Sequence, residues 1–370
     1  MLNTSTINKL VLKNFRNFIA QKFIFEQKII LFTGINGSGK TNLLESLSLL
    51  GRNQGLRGAE FDEMLNNQSQ QFSIFAELEN SDYIENIAIS FEQNTKKKNL
   101  EINGQVLSSK RQDLKNYLPN FIFLTPQLEQ LFISGKSNRR DYLDRIVSDI
   151  DLLHQTRLND YQKLLKERLA ILQKYQLQNS ANKWLEAIEA KIVESGIAIA
   201  SARIEALEFF NKAIKTFNSN FPQTTLKAIG EIENIVMKQS SLQIENFYHQ
   251  KLIENRQIDL QNFKTNFGIH RGDFSAIFDK KNICATKSST GEQKAIMTAI
   301  TIARAKISAQ YRNQSTMLIF DEIVSHLDDK RKVDLLEEIK DTGLQSFFSA
   351  TDIDLIPQDF KTKLLAINIT

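Results

Sequence analysis

The chain has 370 residues, with 47 Lys and Arg against 43 Asp and Glu and a formal net charge of +4, which allows two domains or one with a large insertion and permits a nucleic-acid partner without implying one. A single cysteine, Cys284, excludes an internal disulfide and a cysteine-based zinc site, and is expected to be a small buried hydrophobe. No apolar run approaches the ~20 residues that cross a bilayer, and Met1 to Leu10 lacks a signal-peptide pattern, so a soluble cytoplasmic protein with no membrane partner is expected.

Ile7 to Val11 and Phe23 to Phe25 read as short strands. Between them lies Asn14-Phe15-Arg16-Asn17-Phe18, where Arg16 is either a solvated turn charge or a group that reaches a nucleotide from the neighbouring strand. Lys28 to Thr33 is an apolar run of strand type. Gly34-Ile35-Asn36-Gly37-Ser38-Gly39-Lys40-Thr41 then fits the phosphate-loop pattern of Gly, four residues and Gly-Lys-Thr. Asn42 to Leu50 is apolar at helical spacing, so strand, glycine turn and helix N-terminus form an anion cradle. In it Lys40 reaches the β- and γ-phosphates, and the Thr41 hydroxyl holds Mg²⁺.

Gly51 is placed as the C-cap of that helix. Arg52, Arg57 and Gly58 form a basic loop after it. Phe72 to Glu79 and Asn86 to Phe91 alternate as half-buried strands, and Glu101 to Gly104 reads as a hairpin turn. Lys96, Lys97 and Lys98 are either a solvated turn or DNA-phosphate contacts. Phe121 to Leu124 is an apolar strand that Thr125-Pro126-Gln127 breaks. Arg139 opens a helix that runs on past Leu158, Trp184 to Phe217 is helical with Gly196 as an interruption, Ile232 to Met237 is a weak strand or turn, and Phe247 to Arg256 is a further helix. Ile277-Phe278 and Lys281 to Cys284 look like hairpin strands. No heptad is sustained, so a long coiled coil is not expected.

The second half holds the partners of the phosphate loop. Thr316 to Phe320 is an apolar strand ending in Asp321-Glu322, at the carboxyl end where ligands of α/β sheets bind. There Asp321 holds Mg²⁺ directly or through water, and Glu322 polarises the attacking water. Ser289-Thr-Gly291-Glu-Gln precedes a helix and is either a plain capping box or a second anion site. One nucleotide does not need two phosphate-binding helix ends from one chain. The simplest use of the second is to cap the γ-phosphate of an ATP held by another subunit.

Phosphate loop, Ser-x-Gly-Glu-Gln helix start and strand-Asp-Glu, in that order, resemble the ATP-binding-cassette ATPases. Leu327-Asp328 resembles their dimer-contacting loop, and Asn14 to Phe18 with Asn36 points to the SMC-like DNA-repair branch. Four stretches resemble the RecF family of bacterial recombination mediators: Leu50-Gly-Arg52 through Arg57; Thr125-Pro126 with Asn138-Arg139-Arg140-Asp-Tyr-Leu-Asp144; Gly268-Ile-His270-Arg271-Gly-Asp273-Phe; and Ser289-Thr-Gly291-Glu-Gln293-Lys. The resemblance implies an α/β ABC-type head, residues 1–124 and 285–370, with a mainly helical lobe, residues 125–284, inserted in it. It also implies ATP and Mg²⁺, with Gln127 joining Thr41 and Asp321 near the metal. The implied action is an ATP-dependent homodimer on duplex DNA at single/double-strand junctions, working with RecR and RecO to load RecA in gap repair, with slow DNA-stimulated hydrolysis.

The chain departs from that pattern at Ile269, where a proline is common, and at Ile323 after the acidic pair. Phe348-Ser-Ala-Thr351-Asp352 lies where a switch histidine is usual, so Thr351 is the candidate γ-phosphate sensor. Two other readings are a transporter-type nucleotide-binding subunit, which would cofractionate with membranes, and a DNA scaffold that hardly turns ATP over. In the scaffold, replacing Glu322 by Gln would change nothing in DNA residence.

Overall fold

The computed structural model describes residues 5–52, 55–79, 83–107, 118–175, 182–312 and 315–370. Packing divides the chain into two units: Met1–Glu129, Ser219–Phe221 and Met297–Thr370 form the first, and Gln130–Asn218 with Pro222–Ile296 the second. The divisions therefore fall at Glu129 and Met297, where the sequence suggested 124 and 285.

The first unit begins with a hairpin of β1 (Thr6–Phe15) and β2 (Phe18–Ile24). Phe15 pairs with Phe18, which leaves Arg16 and Asn17 as the turn. β3 (Ile29–Thr33) leads into the glycine loop and α1 (Lys40–Leu49). β4 (Gln71–Glu79), β5 (Ile84–Glu92), β6 (Lys97–Ile102) and β7 (Gln105–Val106) complete an antiparallel sheet of order β2-β1-β4-β5-β6-β7. The β6–β7 turn is Asn103-Gly104, both at positive φ, as the hairpin reading required. Lys97 and Lys98 open β6, Lys98 lies over the Phe61 ring, and Lys96 is ion-paired with Asp62. α1 ends in a right-handed cap at Leu50, so Gly51 is not a left-handed cap. It is needed for space instead: a Cβ there would stand 2.7 Å from the Phe121 ring. β8 (Asn120–Leu124) and the short α2 (Pro126–Glu129) follow.

The second unit holds α3 (Lys136–Ser148), α4 (His154–Tyr175) and α5 (Asn182–Thr216). The helix from Arg139 thus stops before Leu158: Asp151 caps the break, accepting the Leu153 N–H at 3.0 Å and the Arg157 guanidinium at 2.6 Å. Gly196 does not interrupt α5. It makes room, since a Cβ there would meet the Tyr248 ring at 2.6 Å. β9 (Thr224–Ile229) is a strand that sequence patterning missed, and Ile232 to Met237 is helical as α6 (Glu231–Val236). α7 (Ser241–Asn262) starts at a Ser240–Gln243 capping box. β10 (Asp273–Phe278) and β11 (Ile283–Cys284) form the expected hairpin, and with β9 make a three-stranded sheet. Cys284 is half-exposed, not buried. Burial raises its thiol, but hydrogen bonds with Ser275 and Thr286 outweigh that and hold it below its ordinary value.

α8 (Thr290–Arg312) leads back to the first unit, followed by β12 (Thr316–Phe320), α9 (Asp329–Thr342), β13 (Ser346–Ser349), α10 (Gln358–Lys361) and β14 (Leu365–Asn368). Asp328 is the N-cap of α9, accepting the Arg331 N–H at 3.0 Å. The parallel sheet has the order β14-β3-β13-β12-β8. β3, β8, β12 and β13 are buried along nearly their whole length, and the first three are mostly apolar, as strands covered on both faces must be. Phe23 and Phe25 of the antiparallel hairpin pack on Phe32 and Phe347 of the parallel sheet, at ring separations of 5.4–6.5 Å, and join the two sheets into one core with Leu43, Leu44 and Leu47 of α1.

The second unit is organised around buried Arg203. It binds Asp144 bidentately, Nε to Oδ1 at 2.9 Å and Nη2 to Oδ2 at 2.8 Å, and donates to Glu233 and the Ile269 carbonyl. Burial pushes the Asp144 carboxyl up, but Arg203 and the hydrogen bond from His154 outweigh it, and the group stays below the ordinary Asp value. Arg203→Met leaves Asp144 and Glu233 buried without their cation. A loss of about 3–5 kcal/mol is expected, read from urea unfolding followed by Trp184 fluorescence. A depressed carboxyl stabilises the fold above its unfolded value, near pH 4. Wild-type stability should therefore fall as pH drops below that point, with a shallower fall in the variant.

Candidate active site

The glycine loop lies between β3 and α1. Gly34, Gly37 and Gly39 take φ of 147°, 86° and 108°, a region that L side chains rarely adopt and that turns backbone N–H groups inward. Lys40 opens α1, and its Nζ donates to the Gly34 and Ile35 carbonyls at 2.7 and 2.9 Å. Ile35 sits exposed at the loop, with Asn36 and Ser38 completing the turn. The Ser38 Oγ is buried and has no hydrogen-bond partner among the described residues.

Asp321 follows β12, and its Oδ1 is 3.2 Å from Thr41 Oγ1. The sheet makes this possible: β13 alone separates β3 from β12, and parallel strands end on the same side. Glu322, next in chain, takes a left-handed φ of 57°. Ser349 at the end of β13 joins the two acids. Its hydroxyl donates to Asp321 Oδ1 at 2.7 Å and accepts the Glu322 N–H at 2.8 Å. Sequence reasoning missed Ser349 and chose Thr351. The Thr351 side chain is exposed, and the residue meets the loop through its carbonyl, which accepts the Gly34 N–H at 3.4 Å.

Arg16 is neither solvated nor free. Its Nε and Nη2 bind Glu45 of α1 at 2.9 and 3.1 Å, and its Nη1 donates to the Glu63 carbonyl at 2.6 Å. Glu45 is fully buried, with Arg57 3.9 Å away as a second cation. Asn17 straps the same turn to the loop: Nδ2 donates to the Ser38 carbonyl at 3.0 Å, and Oδ1 accepts from Asn42 at 2.8 Å. Its side chain lies where a Gly39 Cβ would go, 2.3 Å from that point. Asn42 and Glu45 were not singled out from the sequence, and Asn17 entered only as part of the Asn14–Phe18 segment, with no role of its own.

The structure does not bring every expected residue to this point. Gln127 is exposed on α2, and among the described residues no hydrogen bond links it to Thr41 or Asp321. Ser289 and Gly291 belong to the second unit. The Ser289 N–H donates to Glu292 Oε2 at 2.9 Å and Ser289 Oγ accepts the Glu292 N–H at 3.4 Å, a reciprocal capping box at the start of α8. Gly291 is the second residue of that helix. Lys281 also binds Glu292; that bond, with those from Ser289, holds the carboxyl down to about 2.

A family model described as the RecF/RecN/SMC N terminal domain matches residues 6–358. Over 363 residues the chain is 32% identical to the DNA replication and repair protein RecF of Rickettsia felis, covering 98% of each. It is 33% identical over 358 residues to that of Agrobacterium fabrum, covering 95% of this chain and 94% of the relative. The chain belongs to the RecF family. A solved structure of the recombination mediator protein RecF-ATP in the RecFOR pathway matches with a TM-score of 0.82 and 25% identity, over 95% of this chain and 93% of that one. The α/β head with its helical second unit is thus the fold of the RecF family. Among the described residues no helix is long and apolar enough to cross a membrane.

The Arg16–Glu45 pair ties the hairpin turn to the helix that carries Lys40 and Thr41. Arg16→Met leaves Glu45 buried beside the more distant Arg57, and a loss of about 3 kcal/mol is expected. Adding Glu45→Leu should recover most of it in a double-mutant cycle of urea unfolding. Equal losses in the single and double variants would refute the pairing.

Proposed function

We propose that the protein is an ATP-driven DNA-binding switch of recombinational repair. The observation that carries this is the Thr41–Asp321 hydrogen bond, which joins the phosphate loop to the acidic strand end across 280 residues of chain. The residues fit ATP and Mg²⁺. Three glycines at positive φ turn N–H groups into the cradle, and a phosphate oxygen would give Ser38 Oγ the partner it lacks. Lys40 supplies the cation for the β- and γ-phosphates. Thr41 and Asp321 would hold Mg²⁺, which when bound neutralises charge on the transferred phosphoryl group. Glu322 orients and polarises water for a slow hydrolysis. Gln127 would join them only after moving from its exposed place on α2.

The Ser289 helix start of one copy caps the ATP held by a second, so ATP favours the dimer by differential binding and hydrolysis releases it. Basic side chains of both copies then track phosphates of double-stranded DNA without reading base edges. Single/double-strand junctions are the preferred sites, RecR and RecO the direct partners, RecA the protein loaded, and the cytoplasm the compartment. Family membership and the likeness to a RecF-ATP structure support this reading.

Sedimentation with ATP, Mg²⁺ and a gapped duplex tests it. Wild type should dimerise and hold DNA only with ATP, Lys40→Met and Ser289→Arg should stay monomeric and unbound, and Glu322→Gln should remain on DNA longer than wild type. A wild-type protein that stays monomeric with ATP and ignores DNA would sink the switch.

A further inference from the structure

The structure contains a device for which the sequence offered only an absent histidine and an exposed threonine. Ser349 ends β13 and is fully buried. A carboxylate only accepts hydrogen bonds and a backbone N–H only donates, so the direction of its two bonds is fixed. Glu322 N–H donates to Ser349 Oγ, and Ser349 O–H donates to Asp321 Oδ1. Asp321 is held from the other side as well, its N–H donating to the Leu124 carbonyl of β8 at 3.0 Å. Glu322 has φ of 57°, a left-handed conformation that a side-chain-bearing residue keeps only when its surroundings hold it there. The hydrogen bond to Ser349 anchors that backbone.

We propose that Ser349 is a positioning residue for ATP hydrolysis. It locks the left-handed turn that places Glu322, and it donates to Asp321 Oδ1, the oxygen that also accepts from Thr41. The inference rests on Glu322 acting as the base that polarises water. Alanine at 349 removes donor and acceptor together. It leaves a buried Asp321 oxygen with one donor fewer and the Glu322 N–H unpaired, so the turn can relax to a right-handed conformation. Cysteine keeps a weak donor and a weak acceptor at nearly the same place.

The test is single-turnover hydrolysis of radiolabelled ATP, with affinity measured separately by a fluorescent ATP analogue. The set is wild type, Ser349→Ala, Ser349→Cys, Glu322→Gln and Ser349→Ala/Glu322→Gln. Ser349→Ala is expected to slow hydrolysis about 100-fold, the scale of a misplaced catalytic group, with affinity within about threefold of wild type. Ser349→Cys should lie between the two. In the Glu322→Gln background Ser349→Ala should cost nothing further, because it acts through Glu322; a merely structural role would multiply. If Ser349→Ala does not fold, the cysteine variant carries the same comparisons. Hydrolysis within threefold of wild type, or a multiplying effect in the double variant, overturns the positioning role while a dead Glu322→Gln leaves the base assignment intact. A Glu322→Gln protein that hydrolyses like wild type overturns the base assignment and, with it, this inference.

Discussion

The contact on which the site depends is the 3.2 Å hydrogen bond between Thr41 and Asp321. Neither residue is near the other in sequence, and no local preference brings them together. The order β14-β3-β13-β12-β8 does. Parallel strands end on one side, so the loop after β3, the acids after β12 and the serine ending β13 share a short stretch of sheet edge. β8 pairs with β12 in register from Asn120↔Thr316 to Leu124↔Phe320, although the second unit intervenes in the chain between them. The insertion is tolerated because the sheet needs only adjacency of those two strands, and both are buried and apolar after their first residue. Asn120 also hydrogen-bonds Ser308 at 2.9 Å, fixing the edge of the sheet to α8 within the same unit.

Around this contact the polar groups are arranged for geometry more than for stability. A buried ion pair gains little net energy, because desolvating two charges offsets their attraction. Its use is that only one arrangement satisfies both partners. Glu45 and Arg16 show this at the phosphate loop, where the guanidinium fork fixes the angle at which the β1–β2 turn meets α1. Asn17 then reaches the Ser38 carbonyl from that turn. The antiparallel sheet thus serves as the floor of the nucleotide loop. Gly39 follows from the same geometry, since its missing Cβ is what lets Asn17 in.

How much of this was legible in the sequence depended on range. The phosphate loop, the buried strands and the Asp-Glu strand end were readable because each is a short pattern with its own physics. The β6–β7 turn was readable because Asn-Gly is chemically suited to positive φ. Elsewhere tertiary partners decided. Ile232 to Val236 carries strand-forming residues, yet two of its residues, Ile232 and Glu233, are buried by helical packing, and Glu233 is held by Arg203. Gly196 looked like a break and is a contact surface for Tyr248. The stop after Ser148 is set by Asp151, whose side chain satisfies groups of the next turn. Arg16 could not be assigned, because its partner Glu45 lies 29 residues away on a helix where no local pattern marks a buried carboxylate. Ser349 was not singled out because only the fold shows that its hydroxyl lies between Asp321 and the Glu322 N–H.

The stretches that carry the family resemblance in the second unit turn out to be one another's partners. Arg139 binds Asp273 bidentately at 2.7 and 2.8 Å, Arg140 donates to the Gly272 carbonyl, and Arg203 spans Asp144 and the Ile269 carbonyl. They act as a clamp that holds α3, α5 and the Gly268–Asp273 loop together. The Ser289 start of α8 is a different case, where the capping and anion-binding readings were set against each other. The geometry makes them compatible. Capping uses a lone pair of Ser289 Oγ, which accepts the Glu292 N–H, and a hydroxyl has one proton and a second lone pair besides. The proton is the part a phosphate oxygen needs. Glu292, held ionised by Lys281 and Ser289, keeps the serine backbone in the capped conformation while its own charge is engaged by that lysine. A helix end capped in this way is pre-ordered, so an anion docking there would not have to order the turn first.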